Sequence, residues 1–242
     1  MSESFYTRSA AFYDAIHSGK AYGNEAAQVH ARIQAHLRSD GHALLDVGCG
    51  TGNHAAHLRA HYRVEGVDLE AQLLDIARER YPDATFHQAD MVDFDLGRAF
   101  DAVVCLFSAI GYVRTEEALR RTVANFARHL RPGGVAVVEP WLSPERFRPG
   151  TPKLDVFESP ALKIARMGRT EWEGGLSVIV FVHLVGHPDG IDHWEDRHLL
   201  GLFTHQQMLD AFAAAGLEVV EYDADGLIGR GLYVARRPES TA

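Results

Sequence analysis

The chain has 242 residues, enough for one full hydrophobic core, and its 46% apolar and 24% charged content is an ordinary globular mixture. Its 24 basic and 33 acidic residues give a formal charge of −9, which argues against a protein that coats nucleic acid, because phosphate contacts need clustered Lys and Arg. A small anionic ligand is not excluded, since one placed Arg can hold a phosphate.

Cys49 and Cys105 are too few for a disulfide framework and point to a reduced, cytoplasmic chain. The polar opening MSESFYTRSAAFYD lacks the apolar stretch of a signal peptide. No apolar run approaches the roughly 20 residues of a membrane helix, so no membrane attachment is expected.

Residues 24–38 carry Ala26, Val29, Ile33 and Leu37 at helical spacing. HALLDVG then reads as a buried strand running into a Gly-rich turn, and HAAHLRAHY as a helix. RVEGVD (strand), EAQLLDIARERY (helix), TFHQAD (strand), FDAVVCLF (strand), EEALRRTVANFARHL (helix) and GGVAVVEP (strand) follow. This alternation implies βαβ crossovers and a mostly parallel, doubly wound α/β sheet. Residues 143–160, rich in Pro, Ser and charge, read as loop. LKIARMGRTEW, LSVIVFVHL and DHWEDRHLLGLF read as three antiparallel strands separated by turns. THQQMLDAFAAAG is a helix with Thr204 as N-cap and Gly216 as its stop, and LEVVEYD and GLYVAR close the sheet. The expected organisation is a single domain, 1–242, with a helical cover at 1–40 and an inserted antiparallel lid at 143–203 too small for its own core.

The most informative segment is LLDVGCGTGNH, where Asp46 ends a strand and Gly48, Gly50 and Gly52 follow at alternate positions. Glycine there lets the backbone turn sharply and approach a ligand. The spacing is D-x-G-x-G-x-G, neither the dinucleotide fingerprint nor a phosphate loop. A loop led by a carboxylate suits a positively charged ligand such as S-adenosylmethionine (SAM), which carries a sulfonium and an ammonium. The next strand ends at Asp68, placed to accept from ribose hydroxyls. The third ends in Asp90-Met91, the acid for an adenine amino group and the thioether for its ring. The fourth ends beside the methyl-transfer centre.

With these motifs the chain resembles the class I SAM-dependent methyltransferases, whose fold is a seven-stranded Rossmann-like sheet. Over most of its length it is similar to the N,N-dimethyltransferases of TDP-linked 3-amino-deoxysugars, which serve desosamine and mycaminose in antibiotic biosynthesis. The resemblance is carried by YDAIHSGKAY, LLDVGCGTGNH, PDATFHQADMVDF, FSAIGYVRTEEAL, FARHLRPGGVAVVEPW, HWEDRHLLGLF and IGRGLYVA. The chain is shortened near Lys20, has Asp68 where relatives can carry Glu, and matches poorly over 150–175. The resemblance implies transfer to an amino nitrogen, S-adenosylhomocysteine as product and a possible homodimer. Methylation of another small metabolite, at N or O, is the alternative, and a His-Asp pair near the lid would favour O.

The cofactor residues expected are Tyr13, Tyr22, Asp46, Gly48, Cys49, Gly50, Gly52, Asp68, Leu69, Asp90, Met91 and Phe107. Tyr13 and Tyr22 flank a segment that by resemblance closes over SAM, or else they pack an N-terminal helix. His17 lies between them, on the site or facing solvent. Tyr112 stands where the acceptor amine should sit, positioning it or walling the pocket. Trp141 offers a flat apolar surface to the sugar or thymine, or is a core residue. His198 shares a strand face with Asp192, Trp194 and Asp196 and can reach the substrate, unless that polarity is only an edge strand's. By resemblance Arg230, between two glycines, grips the nucleotide pyrophosphate. His57 and His61 lie four apart on a helix without HExxH or Cys-rich spacing, so no metal is expected. A neutral amine needs positioning and desolvation more than a strong base. His17, Tyr112 or a water could take its proton.

Overall fold

A computed structural model describes residues 9–239. A short 3-10 turn at Ser9–Phe12 leads into α1 (Tyr13–Ile16) and α2 (Tyr22–His36). Then come β1 (Ala43–Val47), α3 (Asn53–Leu58), β2 (Arg63–Asp68), α4 (Ala71–Arg80), β3 (Thr85–Gln88) and β4 (Phe100–Cys105). A second 3-10 turn at Ala109–Val113 precedes α5 (Glu116–Arg128) and β5 (Leu130–Val138). Strands β6 (Pro152–Glu158), β7 (Lys163–Glu173), β8 (Leu176–His187) and β9 (Gly190–Gly201) precede α6 (His205–Ala214), β10 (Glu218–Asp223) and β11 (Leu232–Arg236).

The main sheet has seven strands in the order β10-β11-β5-β4-β1-β2-β3. β1 pairs in parallel with both β2 and β4, so the strand order reverses at β1, and only the β11 pairings are antiparallel. Period-two alternation sends Leu45, Val103 and Ala136 into one core with Phe126 of α5 and Phe212 of α6. Leu44, Val104 and Val137 enter the opposite core with Val29 and Ile33 of α2 and Leu58 of α3. Helices therefore cover both faces, and the doubly wound fold read from the chain is the one observed. Helix α6 starts on a capping box in which Thr204 Oγ1 accepts from Gln207 N at 3.1 Å. It stops at Gly216 (φ +71), where Leu217 N reaches back to Phe212 O at 3.0 Å.

The insertion after β5 is a separate antiparallel sheet, β6-β7-β8-β9. It has four strands rather than three, because Pro152–Glu158, within the stretch expected as loop, pairs along β7 from Pro152↔Arg169 to Glu158↔Lys163. Its alternation is inverted. Leu154 and Val156 are exposed, while Asp155 faces the other way and pairs with Arg166 at 2.6 Å. The sheet leans on the Ala109–Val113 turn: a Cβ added at Gly111 would lie 2.9 Å from Leu200 of β9 and 3.1 Å from Trp141.

Candidate active site

The loop after β1 passes through left-handed backbone at Gly48 (φ +74), Gly50 (φ +55) and Gly52 (φ +79). A Cβ on Gly48 would sit 2.5 Å from that of Ala109 and 3.7 Å from the Met91 methyl, so Met91 and the turn after β4 both close on this loop. The loop is held from β2: Gly48 N and Cys49 N donate to Val67 O at 2.7 and 3.1 Å. Gly50 N donates to Asp68 Oδ2 at 2.7 Å. The other Asp68 oxygen accepts from Glu70 N at 2.9 Å. Asp68 is thus a brace for the loop, with lone pairs left over for a ligand.

Asp46 is 2% exposed, and its Oδ2 has no hydrogen-bond partner among the described residues. Burial, then repulsion from Asp68, pushes its carboxyl up to about 7. A buried, unsatisfied carboxylate beside a glycine cradle is the acceptor that a ligand with an ammonium and ribose hydroxyls requires, so the residues present fit SAM. Asp90 is exposed; its Oδ1 accepts from Val92 N at 2.9 Å. Leu69 is 41% exposed at the end of β2. Cys49 is buried and its thiol is held well above the usual range by burial, with Asp68 and Asp46 adding to the effect.

The N-terminal segment is fastened to the loop. Asp14 Oδ1 accepts from Thr51 Oγ1 and Asn53 Nδ2, both at 2.7 Å, and its other oxygen pairs with Arg80 at 2.5 Å. Further on, Lys20 pairs with Glu25, whose Oε2 lies 2.8 Å from His54 Nε2 on α3. Tyr13 packs on the His17 ring at 4.6 Å, and Tyr22 on His54 at 4.9 Å. His17 meets Phe107 edge-on at 5.3 Å, so its ring packs against the turn after β4 rather than standing free in solvent. Burial first, then the Arg166 cation, pulls its pKa down to about 3.

On the acceptor side, Phe107 and Ser108 have left-handed backbone (φ 52 and 61). Phe107 N donates to Glu139 Oε2 at 2.6 Å, and Ser108 Oγ donates to Pro140 O at 2.7 Å. Arg230 Nη1 donates to Ser108 Oγ at 2.9 Å while its guanidinium covers the Trp141 ring at 4.4 Å. Arg230 is therefore folded inward on an aromatic and is not an exposed turn residue. Its loop is stapled by Arg146, which donates to Ala224 O at 3.0 Å and Gly229 O at 2.7 Å. Tyr112 Oη lies 2.8 Å from His198 Nδ1 of β9. Burial holds that imidazole neutral, with its pKa down to about 4. On the same face Trp194 stacks on His183 at 4.7 Å and donates to Asp196 at 3.1 Å, whereas Asp192 turns to His187 at 3.2 Å.

Reading the chain missed Asp14, Lys20, Glu25, His54, Arg146 and Glu139. Asp14 and Lys20 lie in YDAIHSGKAY and Glu139 in VEPW, both pieces that carry the family resemblance, but their contacts cross the fold.

A carboxylate-backed glycine loop at the reversal point of such a sheet defines a SAM-dependent methyltransferase. The family model described as "Methyltransferase domain" matches residues 44–134. The dTDP-3-amino-3,6-dideoxy-alpha-D-glucopyranose N,N-dimethyltransferase of Streptomyces fradiae is 44% identical over 228 residues, 93% of this chain and 89% of that protein. The crystal structure of DesVI from Streptomyces venezuelae superposes with a TM-score of 0.89 at 41% identity, covering 95% and 98% of the two chains. SAM-bound CalS10, described as an amino pentose methyltransferase of calicheamicin biosynthesis from Micromonospora echinaspora, gives a TM-score of 0.84 at 42% identity, covering 94% and 95%. The chain belongs to the family of TDP-amino-deoxysugar N,N-dimethyltransferases, and SAM is its methyl donor.

Proposed function

We propose that this protein methylates the amino nitrogen of a TDP-linked amino-deoxysugar, twice, in natural-product biosynthesis. The observation that carries the reading is the reach of the likeness. The general family model stops at residue 134, whereas the amino-sugar relative is matched over 93% of the chain, second sheet included.

When bound, SAM supplies a sulfonium methyl that a nitrogen lone pair takes by in-line displacement. Asp46 meets the cofactor ammonium, Asp68 the ribose and Asp90 with Met91 the adenine, while the segment fastened by Asp14 closes over the slot through Tyr13 and Tyr22. Cys49, Leu69 and Phe107 line its walls. Trp141 supports the sugar or base. Arg230, preorganised against Trp141 and Ser108, pairs with the pyrophosphate, which by charge it prefers over a neutral neighbour. Tyr112, held by His198, walls the amine's seat. The second sheet acts as the substrate lid, with His17 at its inner edge. Most of the acceleration comes from holding amine and methyl in line in a site that excludes water.

One observation bears on the O-directed alternative: His183 Nε2 and Asp196 Oδ2 lie 3.0 Å apart on the inner face of the second sheet. The contact lacks hydrogen-bond alignment and the ring is covered by Trp194, so it does not present a base to a hydroxyl. Incubation with SAM and a panel of TDP-amino sugars, read by product mass and NMR, tests the reading. Mono- and dimethylamine products support it, and an O-methyl product or none at all overturns it.

The charge of −9 supports a role away from nucleic acid. Among the described residues no helix is long and apolar enough to cross a membrane, in keeping with a cytoplasmic enzyme. A homodimer is supported by the exposed outer face of the second sheet, where Leu154, Met167 and Val182 stand in one cross-strand row. Light scattering reads the mass.

A further inference from the structure

Glu139, the residue just beyond β5, is wholly enclosed (0% exposed). Its Oε2 braces the left-handed turn after β4 by accepting from Phe107 N. Its Oε1 is buried and has no hydrogen-bond partner among the described residues. A carboxylate needed only as a brace would not leave an oxygen stranded, because an unsatisfied buried acceptor destabilises the fold. The turn that Glu139 braces presses on the cofactor loop through Ala109 and Gly48. It also carries Ser108, the partner of Arg230. Glu139 therefore stands where the donor slot and the acceptor side meet.

Resting on the amine-methylation reading above, we propose that Glu139 is the catalytic base: its free oxygen takes the proton of the bound sugar ammonium before each methyl transfer. The ammonium N–H bond breaks and a Glu139 O–H bond forms, leaving the lone pair on nitrogen. The N–C bond then forms as the donor's C–S bond breaks, with that electron pair staying on sulfur. Glu139 returns the proton to water between the two transfers.

The charged groups acting on Glu139 suit this role. Burial raises its pKa and Glu25 adds to the rise, while Arg230 and Lys20 oppose it, and the balance is about 7. A base poised near neutrality is the most effective. The other candidates are worse matched. His17 and His198, with pKa values near 3 and 4, form conjugate acids too strong to hold an amine's proton, and Tyr112 is engaged by His198.

The test is Glu139→Gln, which keeps an oxygen for Phe107 N but cannot take a proton. Wild-type enzyme must first yield methylated amine; if it does not, the amine reading itself fails. Given wild-type turnover, Glu139→Gln with unchanged SAM affinity by calorimetry is expected to lose about 100-fold in kcat near neutral pH and to recover toward wild type at about pH 9.5, where water removes the proton. A pH profile superimposable on wild type overturns the assignment. Because the variant could misfold, difference infrared spectroscopy on wild-type protein provides a second measurement. At neutral pH the protonated-carboxyl band should shrink on adding the TDP-amino sugar, whose ammonium holds Glu139 as the carboxylate, but not on adding its 3-hydroxy counterpart, and identical spectra for the two would overturn the assignment.

Discussion

The hydroxyl of Tyr112 lies 2.8 Å from Nδ1 of His198, tying the turn after β4 to the last strand of the second sheet. His198 is buried and Tyr112 half-buried, and burial keeps the imidazole uncharged, so this is a neutral hydrogen bond that sets position rather than charge.

Tyr112→Phe removes the hydroxyl and with it the hydrogen bond to the buried His198, at a cost of about 1–3 kcal/mol. The expected kinetic result is a KM for the sugar raised by about tenfold with kcat lowered less. Steady-state kinetics with SAM affinity measured in parallel checks it. Loss of all turnover with SAM binding intact would mean that Tyr112 takes part in chemistry, and proximity would no longer explain the rate.

Asp46 is expected to couple ligand binding to pH. Its folded pKa, about 7, lies above the ordinary value of 3.8 because of burial and Asp68. A raised carboxyl contributes stability that is complete below the unfolded pKa and is lost as pH rises through about 7. The ligand-free protein should therefore lose stability between about pH 4 and 7 from this residue, by an amount on the order of 4 kcal/mol at most. Asp46→Asn should flatten that slope in urea titrations and weaken SAM binding strongly. A variant that binds SAM like wild type would remove Asp46 from the ammonium's seat.

The parts of the site legible in the sequence are those fixed locally. Gly48, Gly50 and Gly52 announce left-handed backbone, and strand-end acids stand where a parallel sheet must offer them to a ligand. Strand β6 escaped because prolines bracket it and its apolar residues Leu154 and Val156 face outward, so nothing in the segment marks a buried face. Glu139 escaped for a different reason. A glutamate at a strand end looks the same whether it meets water or is walled in, and the charges that act on it come from residues as distant as Lys20 and Arg230.

Asp14 is the fastening of the N-terminal cover. Its bonds to Thr51 and Asn53 join the segment to the cofactor loop itself. Hydrogen bonds to a charged group contribute about 1.5–3 kcal/mol each, so Asp14→Ala should weaken SAM binding by about 10- to 100-fold. Limited proteolysis should cut within residues 9–21 faster in the variant, and SAM should no longer protect the segment. Equal cleavage rates with and without the substitution would contradict a fastening role.

Arg146 holds the loop that carries Arg230. Its guanidinium holds Ala224 O and Gly229 O, fixing both ends of the loop that presents Arg230 to Ser108 and Trp141. An arginine aimed beforehand loses less freedom when it meets a phosphate, so slackening the loop should show in nucleotide-sugar binding alone. Arg146→Ala is expected to raise the KM for the TDP-sugar by about three- to tenfold, less than Arg230→Ala, with kcat and SAM affinity unchanged. Combined with Arg230→Ala it should add nothing, because the two act through one contact. Full additivity in that double-mutant cycle would show that Arg146 contributes by some route other than the loop.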